Sequence, residues 1–273
     1  MENSNDDKID VMYWINLDRW EERKNETENS NKNYLYCVDI IYWINLDRCQ
    51  ERRNDMEQMF KDQIFEGVPI QRFPAFDGTI KESFELFSDY NGELLHIERA
   101  CTLSHLECIR KLANSNLDDE SVGMICEDDI NLEFRKYWKY SVQEILDAAP
   151  SDCEILQLCY TLKDINLEKH TSYYYSTHDF GWSTCCYIIK KKHAKKIIDT
   201  YFHNNKYHVA SCENEVIVSD CFIYANLKSY TFAYPMFIYN SVNDSTIHTY
   251  HFDYHEQSKN KVIELYEKHY NEY

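Results

Sequence analysis

From residue 39 onward, strand-like and helix-like stretches alternate. DIIYWINL (39–46) is rich in β-branched and aromatic residues and predicts a buried strand. RCQERRNDMEQMF behind it predicts a helix, and VPIQRFPAFDG leads into a second strand. In ERACTLSHLECIRKLA (98–113), Ala100, Leu103, Leu106, Ile109 and Leu112/Ala113 recur at the spacing of one helix face. VGMIC (122–126) predicts a short apolar strand that ends directly in Glu127-Asp128-Asp129. Phe134, Trp138, Val142, Ile145/Leu146 and Ala149 then mark one helix, ended by Pro150. EILQLCY (154–160) and STCCYIIK (183–190) predict strands, and KKHAKKIIDTYF (191–202) an amphipathic helix. SYTFAYPMFIY (229–239) predicts one or two short β segments. KVIELYEKHY (261–270) predicts a helix with Val262, Leu265/Tyr266 and His269 on one side. Alternation of this kind implies an α/β fold, a mainly parallel sheet flanked by helices in a single domain. Ligands of such sheets bind beyond the carboxyl ends of the strands, which directs attention to residues 45–48 and 127–129.

An internal repeat complicates the start. YWINLDR occurs at 13–19 and again at 42–48, and ERKN (22–25) is echoed by ERRN (51–54). Only the second copy runs on into a helix and strand pattern; the first runs into the polar KNETENSNKN. The expected organisation is an N-terminal extension (1–37), a folded core domain (38–250) and a helical tail (251–273). A neutral duplication explains the first copy better than an added edge strand or pairing between protomers.

Charge narrows the function. Twenty-nine Lys+Arg against 47 Asp+Glu give a net charge of −18, which repels nucleic acid and anionic membranes. A small anionic donor still binds if a cation or a few arginines reverse the potential locally. With five glycines and no GxGxxG or GxxxxGK[ST], a glycine-cradled phosphate site is not expected. The 11 cysteines include no CxxC pair and suggest free, mostly buried thiols in a reducing compartment. Residues 1–10 lack the pattern of a secretory signal, and no apolar run has the length of a membrane helix. The expectation is a cytoplasmic protein.

Three groups of residues can carry chemistry. Glu127, Asp128 and Asp129 at a strand mouth repel one another unless a cation such as Mg²⁺ or Mn²⁺ sits among them. In extended chain Glu127 and Asp129 share one side. A solvated acidic turn is the plainer alternative. Asn45, Asp47, Arg48, Arg52 and Arg53 follow a strand end, where arginines can grip a phosphate; surface ion pairing is the alternative. Ser104-His105 lies in a helical pattern, where a packed or capping histidine is the commoner case.

Taken together these segments resemble glycosyltransferase family 25, which includes bacterial lipooligosaccharide galactosyltransferases and collagen galactosyltransferases. The resemblance rests on Ile44-Asn45-Leu46-Asp47-Arg48 with Glu51-Arg52, Ala75-Phe76-Asp77-Gly78, Cys101-Thr102-Leu103-Ser104-His105 and Glu127-Asp128-Asp129. Cys186-Tyr187 through Ile197/Ile198, and Asn243 to His248, extend it over roughly residues 38–250. Ala100, Cys186 and Lys190 depart from the family pattern, and Pro and Val are missing before Asp220. The resemblance implies a GT-A-like, Rossmann-type fold and inverting transfer of a hexose, galactose or glucose, from a UDP-sugar to a hydroxyl. It implies Mn²⁺ (or Mg²⁺) held by Glu127, Asp129 and His248. It further implies donor contacts from Asn45, Asp47, Arg48, Arg52, Asp77, Ser104, His105 and Asp128, with Asp220 as base. Expected partners are the nucleotide-sugar donor and a glycan, lipid-linked or collagen-like acceptor. A non-catalytic, carbohydrate-binding relative is the principal alternative; a metal-dependent phosphoryl-transfer enzyme or nuclease is a weaker one.

Overall fold

The computed structural model describes residues 34–80, 85–88, 96–209, 218–240 and 252–271. The first YWINLDR copy lies outside them. The strands are β1 (Val38–Asn45), β2 (Ile70–Pro74), β3 (Val122–Glu127), β4 (Ile130–Asn131), β5 (Ile155–Leu162) and β6 (Tyr174–Ser176). They continue as β7 (Gly181–Lys190), β8 (Phe202–His203), β9 (Lys206–Tyr207), β10 (Ser229–Phe232) and β11 (Ile238–Tyr239). The α-helices are α1 (Gln50–Met59), α2 (His96–Ala113), α3 (Val142–Ala148), α4 (Thr177–Phe180), α5 (Lys191–Tyr201), α6 (Ser219–Ala225) and α7 (Phe252–Asn271).

Seven strands form one sheet in the order β2-β1-β3-β7-β5-β10-β6. β2, β1, β3, β5 and β10 run one way, while β7 lies antiparallel between β3 and β5, and β6 antiparallel at the edge. The result is the expected mainly parallel, Rossmann-like α/β sheet. The antiparallel course of β7 has a functional consequence. Its first residues lie at the edge where the parallel strands end.

Period-two alternation explains why both faces are covered. Ile41 and Trp43 of β1, Met124 and Cys126 of β3, and Leu156 and Leu158 of β5 enter one core with Val142, Ile145, Val262 and Leu265. Tyr42, Ile44, Ile125, Tyr187 and Ile189 enter the other, with Leu103, Leu106, Ile109, Ala194, Ile197 and Phe222. Neither face is left for water, so the strands read as continuous apolar runs. The terminal helix α7 is tied to the sheet: Ser258 Oγ accepts the Leu162 N–H at 2.8 Å. None of the helices among the described residues is long and apolar enough to cross a membrane. Ten cysteines are described, all as free thiols.

The helix expected across 134–149 is two elements. A 3₁₀ turn (Glu133–Tyr137) stops at Trp138, whose backbone is extended. Its indole donates to the Met236 carbonyl at 2.6 Å. Ser141 then starts α3 with a capping box shared with Glu144. Apolar spacing alone does not reveal the break, because both pieces bury the same face. The capping pair Ser141-x-x-Glu144 was the available signal.

Beneath α7, both ring nitrogens of His170 are buried without a hydrogen-bond partner, and Tyr175, Phe180 and Tyr234 surround the ring. Burial, with a smaller contribution from His269, pushes its pKa down to about 3. The unfolded chain protonates this ring near pH 6.5. The stability contributed by the neutral ring is therefore complete above pH 6.5 and is lost as pH falls from 6.5 toward 3. His170→Phe should flatten that decline. At pH 5 the wild type should have lost about 2 kcal/mol that the variant keeps, read from thermal midpoints against pH.

Candidate active site

β1 and β3 are parallel neighbours, so Asn45 and Glu127 end at the same edge of the sheet. An open pocket lies there, and Asn45, Arg48, Arg52, Ser104, His105, Glu127 and Asp128 all line it. The first and last of those seven stand 83 positions apart in the sequence, and the sheet topology brings them together.

Asn45 is 1 % exposed and holds the edge. Its Nδ2 donates to Asp128 Oδ2 at 2.6 Å and to the Cys49 carbonyl at 3.2 Å. Its Oδ1 accepts from Arg72 Nε at 2.9 Å and Arg53 Nε at 3.3 Å. Arg52 reaches in from α1 and donates to Asp128 Oδ1 at 3.0 Å. Burial opposes the Arg52 charge, but Asp129 and Asp128 outweigh it and hold its pKa above the usual value.

Asp47 behaves differently. Its side chain is 77 % exposed and accepts from Arg72 at 2.6 Å and Arg53 at 3.2 Å. It does not line the pocket, and surface ion pairing describes it. Asp77 likewise stays off the pocket wall. It pairs with Arg48 and accepts the Thr79 N–H at 2.9 Å. That turn rests against the start of α2: a Cβ on Gly78 would come within 2.6 Å of Ile97 Cα. Ser104 Oγ accepts the Phe76 N–H at 2.9 Å and donates to the Ala100 carbonyl at 2.7 Å. It positions the 75–78 turn against α2.

His105 is fully buried, yet its two nitrogens are engaged in opposite directions. Nδ1 stands 3.2 Å from Tyr187 Oη, and Nε2 stands 3.3 Å from Glu127 Oε1. Thr184 Oγ1 donates to the same Glu127 oxygen at 2.9 Å and contacts Ser219 Oγ at 2.9 Å. Burial works against the Glu127 charge, but the contact with His105, the hydrogen bond from Thr184 and the nearby charge of Arg52 outweigh it, and its pKa lies below the usual value. Asp129 goes the other way: burial, then the charges of Glu127 and Asp128, push its carboxyl up to about 7. Its Oδ1 is buried without a hydrogen-bond partner. Carboxyl oxygens of Glu127 and Asp129 and the Cys185 sulfur lie within 4.8 Å of one another. Two converging carboxylates and an orphaned oxygen fit a hard divalent cation.

The start of β7 completes the edge through an irregularity. Pairing between β5 and β7 slips between Gln157 and Thr161, and Ser183 takes φ +88°, a region costly for a side chain larger than glycine. Asp220 holds it there: its Oδ2 accepts the Ser183 N–H at 3.0 Å, and its Oδ1 the Cys221 N–H at 2.8 Å. The bulge turns Thr184 toward Glu127 and Cys185 toward Asp129, a recurrent use of such defects near active sites. Asp220 itself, at the start of α6, does not line the pocket. His248 lies outside the described residues. As site residues, Thr184, Ser219, Arg72 and Cys185 escaped the sequence reading, and Tyr187 entered it only within the family-like segment that starts at Cys186. Of the four, only Arg72, a charge inside an apolar strand pattern, carried a signal in the sequence.

In an α/β sheet of this kind the carboxyl edge, where arginines here surround a carboxylate cluster, is the place where ligands bind. A family model described as glycosyltransferase family 25 (LPS biosynthesis protein) matches residues 38–212, well over half of the chain. The chain therefore belongs to glycosyltransferase family 25: it is a sugar transferase, with a sugar donor and a glycan acceptor. The matched span holds every residue lining the pocket and ends before Asp220. No curated protein matches the chain.

Proposed function

We propose that the protein transfers a hexose, galactose or glucose, from a UDP-sugar to a hydroxyl acceptor with inversion at the anomeric carbon. The observation that carries this reading is the convergence of Glu127, which lines the pocket with Arg48 and Arg52, and Asp129, which lies off the pocket wall with its buried Oδ1 lacking a partner. Glu127 and Asp129, with His248 as a further ligand, would hold Mn²⁺ or Mg²⁺. Such an ion supplies positive charge to a departing diphosphate.

The chain's own residues do the rest. Arg48 and Arg52 add fixed positive charge to the pocket wall, which a protein of net charge −18 needs in order to accept an anionic donor. Asn45 and Arg52 fix Asp128 from two sides. Inversion requires one displacement, in which a carboxylate takes the proton of the attacking hydroxyl. Our candidate for that role is Asp220, which lies off the pocket wall: its carboxylate accepts from two backbone N–H groups, and the preceding Ser219 is joined through Thr184 to Glu127. A glycan chain, a lipid-linked sugar or a collagen-like hydroxylysine would supply the acceptor hydroxyl.

Calorimetric titration with UDP-galactose and UDP-glucose, with and without Mn²⁺, tests the reading. Binding that needs Mn²⁺, together with slow UDP release in the absence of acceptor, is expected. Absence of both, for both donors, would return the chain to the class of non-catalytic carbohydrate-binding relatives.

A further inference from the structure

Cys101 and His105 stand four residues apart on α2, so both side chains leave the same helix face. Both meet Glu127 at the end of β3. Cys101 Sγ, His105 Nε2 and a Glu127 carboxylate oxygen lie within 4.8 Å of one another. Within that trio His105 Nε2 is 3.3 Å from Glu127 Oε1. A tetrahedral zinc ion with nitrogen and oxygen ligands at about 2.0 Å holds those ligands about 3.3 Å apart. Two of the three donors thus already stand at the separation of ligands on one ion, and the thiol lies within 4.8 Å of both.

The surroundings suit the same role. A ligating imidazole needs its other nitrogen fixed by an outer partner, and Tyr187 Oη occupies that place at 3.2 Å from Nδ1. Ser219 Oγ, 3.6 Å from Cys101 Sγ, accepts from the thiol and fixes its direction. Cys101, His105 and Glu127 all line the open pocket, which leaves a fourth position facing outward. One thiol, one imidazole and one carboxylate with an open position is a donor set for a borderline-soft ion and a poor one for Mg²⁺.

We propose that Cys101, His105 and Glu127 form a second metal site, specific for thiophilic divalent ions such as Zn²⁺ and overlapping the hard-ion pair Glu127 and Asp129. Glu127 belongs to both sets. Loading the thiol–imidazole set withdraws a carboxylate from the hard-ion set, so Zn²⁺ opposes Mg²⁺ or Mn²⁺ instead of replacing it. The site does not depend on the donor reading, because its test reads metal coordination directly.

The test is optical titration of the full-length, metal-free protein with Co²⁺. A thiolate-to-cobalt charge-transfer band and the intense visible absorption of four-coordinate cobalt are expected, both removed by Zn²⁺. Cys101→Ser should lose the charge-transfer band. Cys185→Ser should keep it, which matters because Cys185 lies near Glu127 and Asp129. A second measurement needs no variant: Zn²⁺ at ten times its Kd should slow alkylation of Cys101, read by peptide mass spectrometry, by about tenfold, and Mg²⁺ should not. A weak six-coordinate spectrum, a band that survives Cys101→Ser, or unchanged alkylation overturns the proposal.

Discussion

Asp129→Asn should lower transferase turnover by about 10³-fold while leaving the protein at least as stable as the wild type. The two halves of this expectation have separate causes. For activity, the substitution replaces one of two converging carboxylates with a neutral amide, a much weaker ligand for a hard cation. For stability, Asp129 is a cost in the metal-free protein. Its carboxyl is buried beside Glu127 and Asp128, and its Oδ1 has no hydrogen-bond partner. An amide removes the repulsion at nearly constant volume, so the thermal midpoint in the presence of a chelator should stay level or rise by a few degrees. Steady-state kinetics with saturating Mn²⁺, paired with a melting curve in chelator, separates the two. Full turnover in the variant would remove Asp129 from the metal set. A fall of ten degrees or more would instead make it a structural residue.

How far the sequence went depends on what each residue answers to. Strand and helix positions were legible because hydrophobic period reports burial, and this sheet is buried on both faces. The edge residues 45–48 and 127–129 were legible because polar groups that end apolar strands have few reasons to be there. What period does not report is direction and defect. Nothing in STCCYIIK says that β7 runs antiparallel, or that Ser183 takes φ +88° and turns Thr184 toward Glu127. These depend on partners such as Asp220, 37 residues further on, which has no local signature. The same limit affected Asp47 and Asn45. In the sequence both are polar residues of one motif, INLDR. In the fold one faces solvent and the other is sealed.

That contrast yields the second large effect. Asn45→Leu should destabilise the protein by about 3 kcal/mol, whereas Asp47→Ala should cost less than about 1 kcal/mol. Leucine matches asparagine in shape but offers no donor or acceptor. Asp128 Oδ2 would lose its 2.6 Å donor, and Arg72 Nε and Arg53 Nε would lose their shared acceptor. Groups that stay buried after losing a partner bear the desolvation cost in full. At Asp47 the same arginines lose an acceptor that is 77 % exposed, and water takes its place. For a chain of this size the first change corresponds to a drop in thermal midpoint of about 6–12 °C, and the second to no more than a few degrees. Donor binding should follow the same order. Without Asn45, Arg52 is the side chain among the described residues that still holds Asp128, and the pocket wall loses the side-chain contact between the ends of β1 and β3. Equal midpoints for the two variants would show that the buried network contributes no more than a surface ion pair, and that the edge of the sheet is held by its backbone alone.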